Sequence, residues 1–526
     1  MTVSPRKSSL TPKTMAVFKE DKKGIQKPAS FEEAIELTGF GIFNILLMIL
    51  IVPSLWAIHF ESSIMSFVFP VAQCDLNLTL QHKGILNATP YIGMMLSCFF
   101  WGILCDKYGR RKTILAAFFT SFCLTLISSI SMNFPMLVVL KFLGGFISNG
   151  PATTMPAYIC EMHSTRYRSK MQIFIGMVYS IGNISIPLMA SIILPIKFHR
   201  TFFDNFIILN SWNLFILASS LSSLIAGVGF IFMPESPKFY MSKGQNEKAL
   251  KVFRTMFKLN HRNTTYPITQ LVDERTLNNN DMQDKEKNCK DSHKNNFLLL
   301  IKNPYLKNLL IVCLMNICIM LSVNTLRLWL PQIFQAIHEN EIKNNATSSS
   351  ICDLLEIIKQ ASNEENLSTT CSVNNDNNLA VYLRSMVIGM VAFVGYVSAM
   401  FIINRFEKKK IILTCGLTAG TFVICLFLSP NTETILALSS LSLALTNLCV
   451  DVIITIVVVI FPTSIRASAL SVISIFGKFG SITGNLVFPF LLQTGCIPPF
   501  LLLGCLLIGA VVLSTILPNT DTKSIT

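Results

Sequence analysis

Apolar residues fall in long unbroken windows along this chain rather than at alternating positions, a pattern that predicts helices crossing lipid. A membrane-spanning helix needs about 20 predominantly apolar residues, because 1.5 Å per residue must cover roughly 30 Å of hydrocarbon. Twelve such windows occur: 42–66, 85–105, 113–131, 134–157, 172–194, 212–233, 308–330, 380–403, 411–429, 434–460, 469–491 and 498–517. A hydrophilic stretch, 234–306, holding Asn278-Asn279-Asn280-Asp281 and many lysines, separates the first six from the last six. The predicted fold class is all-α integral membrane, with twelve transmembrane helices in two six-helix bundles. The expected units are a basic tail 1–36, an N-terminal bundle 37–233, a central loop 234–306, a C-terminal bundle 307–518 and a tail 519–526. The C-terminal bundle includes a long outside loop, 332–379.

Short cytoplasmic loops carry an excess of Lys and Arg. With the N-terminus inside, 34 of the 43 basic residues fall on the cytoplasmic side, and only Lys83, Lys197, Arg200, Lys343 and Lys359 fall outside. Both termini are therefore expected in the cytoplasm. The compartment is left open between the plasma membrane and a secretory or synaptic vesicle membrane.

Composition removes the soluble alternatives. Only 14% of residues are charged, against about 25% in soluble domains, while 51% are hydrophobic and the mean hydropathy is +0.54. The net charge of +14 does not point to nucleic acid, because the basic residues are not clustered on a soluble domain with interleaved aromatics. They are a topology signal first. Fifteen cysteines are scattered through apolar stretches without C-x-x-C spacing, so no metal and no cofactor is expected. Residues 1–36 are polar and lack a short apolar core with a cleavage site, so the first apolar segment is expected to stay in the bilayer.

The 332–379 loop contains the acceptor sequons Asn345-Ala346-Thr347 and Asn366-Leu367-Ser368, and glycans there require a luminal or extracellular face. Asn77-Leu78-Thr79 is a third sequon, close to the membrane. Cys352 and Cys371 share the long loop and are the candidate disulfide in an oxidising compartment. The alternative is two free thiols.

Between the second and third windows the chain reads Gly102-Ile103-Leu104-Cys105-Asp106-Lys107-Tyr108-Gly109-Arg110-Arg111-Lys112. An acid at the helix end, a glycine three residues on and a basic triplet are more than a basic loop requires. This segment resembles the signature G-x-x-x-D-[RK]-x-G-R-[RK]-[RK] of the major facilitator superfamily. The resemblance implies that Gly102 admits a neighbouring helix and that Asp106 and Arg110, flanked by Gly109 and Arg111, form a charge-assisted latch. After the eighth window, Asn404-Arg405-Phe406-Glu407-Lys408-Lys409-Lys410 resembles a worn second copy, as two pseudo-symmetric halves would give.

Further motifs narrow the likeness. Pro156-Ala157-Tyr158-Ile159-Cys160-Glu161, then Arg168, and Pro234-Glu235-Ser236-Pro237-Lys238 resemble the P-x-Y-x-x-E and P-E-S-P-R motifs of the sugar and organic-ion porter branch. Gly244 to Leu250 resembles the helix that follows there. With Glu61…Phe67-Val68-Phe69-Pro70, Ser211-Trp212 and the long sequon-bearing loop, the chain is similar to the synaptic vesicle glycoprotein 2 group. Glu161, Arg168 and Arg466 join the implied gating set. Departures remain: Val459 stands where sugar porters have an acid paired with the arginine at 466, Asn213 replaces an arginine and Ile58 an aspartate.

Inside the windows lie His59, Glu61, Lys141, Arg327, Arg384, Asp451 and Lys478. A charge at a helix centre costs about 3 kcal/mol on insertion scales, so such residues normally face a cavity or one another. Lys141, Arg327 and Arg384 sit within a turn or two of the outer ends of their windows, close enough to snorkel, which discounts them as path residues without removing them. Ser471, Ser474, Lys478, Ser481 and Asn485 make one polar stripe, and Asn447, Asp451 and Thr455 another. A Lys478–Asp451 pair stapling the two helices competes with exposure of both to a central path. The resemblance puts windows one, four, seven and ten on that path. The candidate path residues are thus His59, Glu61, Lys141, Asn324, Arg327, Asn447, Asp451 and Lys478, with Trp56 and Trp212 as aromatic walls or interface anchors. Two anions against four cations favour an anionic or zwitterionic solute.

The expected function is secondary active transport of a small charged organic solute by alternating access, with or without a coupling ion. No Walker phosphate loop occurs, and no catalytic cluster marks an enzyme. The alternative is a non-transporting vesicle-type glycoprotein whose 332–379 loop or N-tail binds a protein partner.

Overall fold

A computed structural model describes residues 28–202, 207–261, 265–272, 300, 302–303, 305–344, 352, 379–402 and 406–518. The first element is a short helix, α1 (Phe31–Leu37), closed by a capping box in which Ser30 and Glu33 bond each other's backbone amides. The N-terminal half follows as α2 (Ile42–Ser63), α3 (Met65–Ala72), α4 (Leu80–Leu96), α5 (Cys98–Tyr108), α6 (Arg110–Ser128), α7 (Phe134–Glu161), α8 (Thr165–Ile193) and α9 (Ser211–Ile231). Two helices outside the bundle come next, α10 (Pro237–Ser242) and α11 (Asn246–Asn260). The C-terminal half is α12 (Tyr305–Asn344), α13 (Leu379–Ile402), α14 (Lys408–Cys425), α15 (Thr432–Ile460), α16 (Thr463–Thr494) and α17 (Ile497–Leu513).

Among the described residues, 11 helices are long and apolar enough to cross a bilayer, and α4 with α5, bent by 45°, makes the twelfth span. Each predicted window coincides with one of these spans. Large apolar side chains such as Ile49, Phe99, Ile103 and Ile225 are exposed on the outside of the bundle, as lipid solvation allows and water does not. This is a multi-pass integral membrane protein.

Helices within each half meet through glycine. A Cβ on Gly93 or Gly145 would collide with backbone across the α4/α7 contact, and one on Gly480 would collide with Ile317 backbone across α12/α16. Small residues allow such approach where lipid supplies no hydrophobic drive.

Three features depart from the expected layout. Helix α12 does not stop at Pro331 but continues to Asn344, about 60 Å at 1.5 Å per residue. Its extension is amphipathic: Ile333, Phe334 and Ile337 are buried in the C-terminal core, a face that a hydropathy window does not detect. Residues 332–344, predicted as the start of a loop, are therefore helical. Two short strands pair antiparallel, β1 (His199–Phe202) with β2 (Ile207–Asn210). Within the stretch expected as a hydrophilic loop, α11 buries Ala249, Leu250, Phe253 and Met256 against α1, whose Phe31 ring lies 6.1 Å from Phe253.

Candidate functional site

His59 and Glu61 lie two residues apart on α2 and so face different neighbours. Glu61 turns to α7, where its Oε1 accepts from Lys141 Nζ at 3.2 Å. Both side chains are buried, at 5% and 1% exposure. Gly144, three residues beyond Lys141, leaves room for the carboxylate, since a Cβ there would strike Glu61. Of the two readings of Lys141, snorkelling is the one not taken: with an anion within reach, the ammonium stays inside.

His59 faces the opposite half. Arg327 on α12 points its Nη1 at His59 Nδ1, 3.3 Å away, and its Nη2 donates to the Tyr91 hydroxyl and to Asn324 Oδ1, both at 2.9 Å. A guanidinium only donates, so Nδ1 accepts and the His59 Nε2–H donates to Asn183 Oδ1 at 3.0 Å. Asn324 Nδ2 donates in turn to Ser481 at 2.8 Å. Arg327 does not snorkel either; it is the centre of a network that joins α2, α4 and α8 of one half to α12 and α16 of the other. Among the described residues no carboxylate lies within ion-pair distance of it.

Lys478 on α16 also crosses between halves. Its Nζ donates to Asn149 Oδ1 at 2.5 Å and to Cys98 Sγ at 3.1 Å. The Lys478–Asp451 staple is not formed. Asp451 instead lies beside Tyr396 of α13, and Tyr396 packs on Gly176 of α8. The two polar stripes face different helices because α15 and α16 turn them toward different partners. Asn447 is half-buried one turn from Asp451.

At the end of the bundle that carries the basic loop, Gly109 adopts φ +102° between α5 and α6. Its missing side chain makes room for Glu235, whose Oε1 accepts from the Arg111 backbone amide at 2.9 Å. Arg111 donates onward to the carbonyls of Phe230 and Ile231 at the end of α9. Arg110 lies 3.3 Å from Glu161 and 3.6 Å from Asp106, and Ser236 donates to Glu161 at 2.5 Å. Arg168 forms a two-bond fork with Glu32 of α1 at 3.0 and 2.9 Å. The implied gating residues Asp106, Arg110, Glu161 and Arg111 are therefore gathered within one half. Gly102 makes no close approach: a Cβ there would meet nothing within 4 Å, and Asp106 is 74% exposed. The halves touch at mid-bundle and toward the opposite end, as Gly84 against Asn485 and Gly389 against Ile184, and nearer the basic end at Gly176 against Tyr396. Arg466 donates to the Phe461 carbonyl at 3.3 Å.

Other expectations resolve elsewhere. Arg384 does not snorkel but pairs with Glu341 at 3.0 Å, fastening the end of α12 to α13. Cys352 is bonded to Cys496, in the turn between α16 and α17, and not to Cys371. Trp212 donates to Asp75 at 2.7 Å and Trp56 to the Val178 carbonyl at 3.3 Å. Asn345, Asn366 and Cys371 lie outside the described residues. Sequence reasoning missed Tyr91, Asn149, Asn183 and Tyr396. Each is a polar residue inside an apolar window, which was the available signal.

A sequence profile of the family described as Major Facilitator Superfamily matches residues 51–354. Synaptic vesicle glycoprotein 2C of Mus musculus is 28% identical over 232 residues, 44% of this chain and 32% of that protein. Over that alignment the chain spans about a third of its relative. Synaptic vesicle glycoprotein 2B of Homo sapiens is 21% identical over 599 aligned positions, covering 96% of this chain and 87% of the relative. Among solved structures, the partially occluded inward-open conformation of the xylose transporter XylE from E. coli superposes with a TM-score of 0.60 at 15% identity, covering 89% of this chain and 98% of that one. That last likeness is one of fold.

Proposed function

The chain belongs to the Major Facilitator Superfamily, and from that premise we propose that it is a secondary active transporter of a small charged organic solute, working by alternating access. The observation that carries this reading is the Arg327 network. It places a cation among His59 and Tyr91 of one half and Asn324 of the other, so any rocking of the halves must remake its bonds. Substrate sites at the interface of repeats near the bilayer midplane are where such proteins bind. Lys478 adds a second cation held across the same interface.

In this reading the halves are 37–233 and 307–518, the basic end faces the cytoplasm, and glycans sit on Asn345 and Asn366. The membrane is the plasma membrane or that of a secretory vesicle. Asp106, Arg110, Glu161 and Arg168 belong to the gate, with Asp106, exposed here, meeting a partner from the other half when that end closes. Full-length protein in proteoliposomes, offered charged and neutral solutes across pH and sodium gradients, should accumulate a charged solute saturably. Absence of flux for every compound overturns the proposal.

A second reading, a non-transporting membrane glycoprotein, draws on Val459, which stands where an acid would pair Arg466, and on Arg466 bonding a main-chain carbonyl. It predicts no flux and a protein partner for the outside loop or the N-tail.

A further inference from the structure

Arg327 has hydrogen-bonding capacity to spare. Its Nη1 and Nη2 are engaged, but Nε is buried without a partner. A second unmet donor lies nearby: the Ser66 hydroxyl of α3, 1% exposed, also lacks a partner. Both residues line one cavity of about 40 Å³, together with Ser63, Asn183, Phe67 and Ile186. That is space for a few water-sized groups. The cavity lies between the halves, with Ser66 and Asn183 from one and Arg327 from the other.

Buried polar groups are ordinarily satisfied, and donors without a protein partner suit a bound water, ion or ligand. Here the unmet atoms are donors beside a cation, and no carboxylate of the described residues compensates that cation. With Nη1 and Nη2 bonded to His59, Tyr91 and Asn324, the Nε–H is the charged donor left for an anion's oxygen, and a charge-assisted bond of that kind is stronger than a neutral one. Phe67 and Ile186 give the remaining wall an apolar character.

We propose that this cavity is an anion subsite of the transport path, taking the single carboxylate of a small organic acid with a short apolar body. One carboxylate oxygen accepts from Arg327 Nε and the other from the Ser66 hydroxyl. An amine would bring a second cation against Arg327, with no carboxylate of the described residues beside it to offset the repulsion. A neutral amide offers one strong acceptor and no charge. The inference rests on the transport reading for its purpose, though not for the binding itself.

The test uses full-length protein in nanodiscs at fixed ionic strength, where surface screening is held constant. Thermal unfolding is followed against butyrate, benzoate, butyramide, butylammonium and chloride. The expected result is saturable stabilisation by a carboxylate and none by the amide or the amine. Arg327→Gln should weaken that binding at least tenfold, Arg327→Lys less, and Ser66→Ala several-fold. If Arg327→Gln does not fold, Ser66→Ala decides, and unchanged carboxylate affinity in it overturns the proposal. Equal binding of butyramide, stabilisation by chloride alone, or no carboxylate effect at tens of millimolar also overturns it. Proteoliposome flux separates the two ideas. Carboxylate binding without flux keeps the subsite and removes transport, whereas flux of a cation insensitive to Arg327→Gln keeps transport and removes the subsite.

Discussion

Lys141 Nζ lies 3.2 Å from Glu61 Oε1 between the first and fourth spans, with both groups sealed from solvent. Such a pair is a weak source of net stability, because desolvation of two charges offsets most of their attraction; removing one partner is costly. Glu61→Gln or Lys141→Met alone should therefore lower stability by about 3–5 kcal/mol. The double substitution should recover a large part of that loss. Thermal unfolding in detergent of the two singles and the double checks it, and additive losses would remove the pairing.

Two glycines of the basic loop should behave in opposite ways. Gly109, at φ +102° and ψ 163°, occupies a region that is essentially glycine's own, and Glu235 fills the space where a side chain would go. Gly109→Ala should cost about 1–3 kcal/mol from backbone strain alone. Gly102→Ala lies inside α5 and meets open space, so it should cost nothing and raise stability by up to about 1 kcal/mol. If the latch operates, the Gly102 change will also show as altered accessibility of the basic end to thiol reagents.

His163 sits in the turn between α7 and α8, and burial lowers its pKa from the usual 6.5. Its Nδ1–H donates to the Ile159 carbonyl at 2.8 Å, while Nε2 is buried without a partner. The unfolded chain takes up a proton as pH falls through about 6.5, and the folded chain resists it until its own, lower pKa. Stability should therefore decline progressively below about pH 6.5 through this group. His163→Gln should flatten that part of the stability profile; an unchanged slope would exonerate the residue.

The spans were legible because hydropathic length is a local property of the sequence, and even the bent α4–α5 span follows from one apolar window. The basic loop was equally legible, since Arg110, Arg111, Glu161 and Glu235 all lie in short motifs. Pairing inside the bilayer was not. Glu61 and Lys141 are 80 residues apart, Lys478 finds Asn149 across 329 residues, and the polar stripe bearing Asp451 gave no hint of Tyr396. A helical stripe fixes which residues share a face but not which helix that face meets. The continuation of α12 beyond Pro331 was hidden for another reason: its buried face is narrow, and its other faces carry Gln335, His338 and Glu339.

The Cys352–Cys496 bond closes a segment of 144 residues and pins the start of the long loop to the turn before α17. Cross-links of native domains typically contribute about 2–4 kcal/mol. Cys352→Ser and Cys496→Ser should each lower the unfolding temperature by the same amount, and the double variant by no more than either single. Non-reducing peptide mapping should recover the two cysteines together; recovery of Cys352 joined to Cys371 would refute the pairing.

Lys478 and Asn149 hold the halves together at mid-bundle, toward the side on which the halves already meet. A hydrogen bond to a charged group contributes about 1.5–3 kcal/mol, and each 1.4 kcal/mol is about tenfold in a population ratio. Because the bond joins the two halves, it stabilises whichever arrangement keeps them in contact at this level. Asn149→Ala should thus shift the population at least tenfold toward the arrangement opened at the end opposite the basic loop. Lys478→Met should do the same while also deleting a cation from the path, so the two variants separate gating from solute binding. Spin labels on the ends of α4 and α16 nearest Leu80 and Thr494 would report the change as a longer distance component. An identical distance distribution in both variants would mean that Gly84 packed against Asn485, and not the lysine, keeps that end shut.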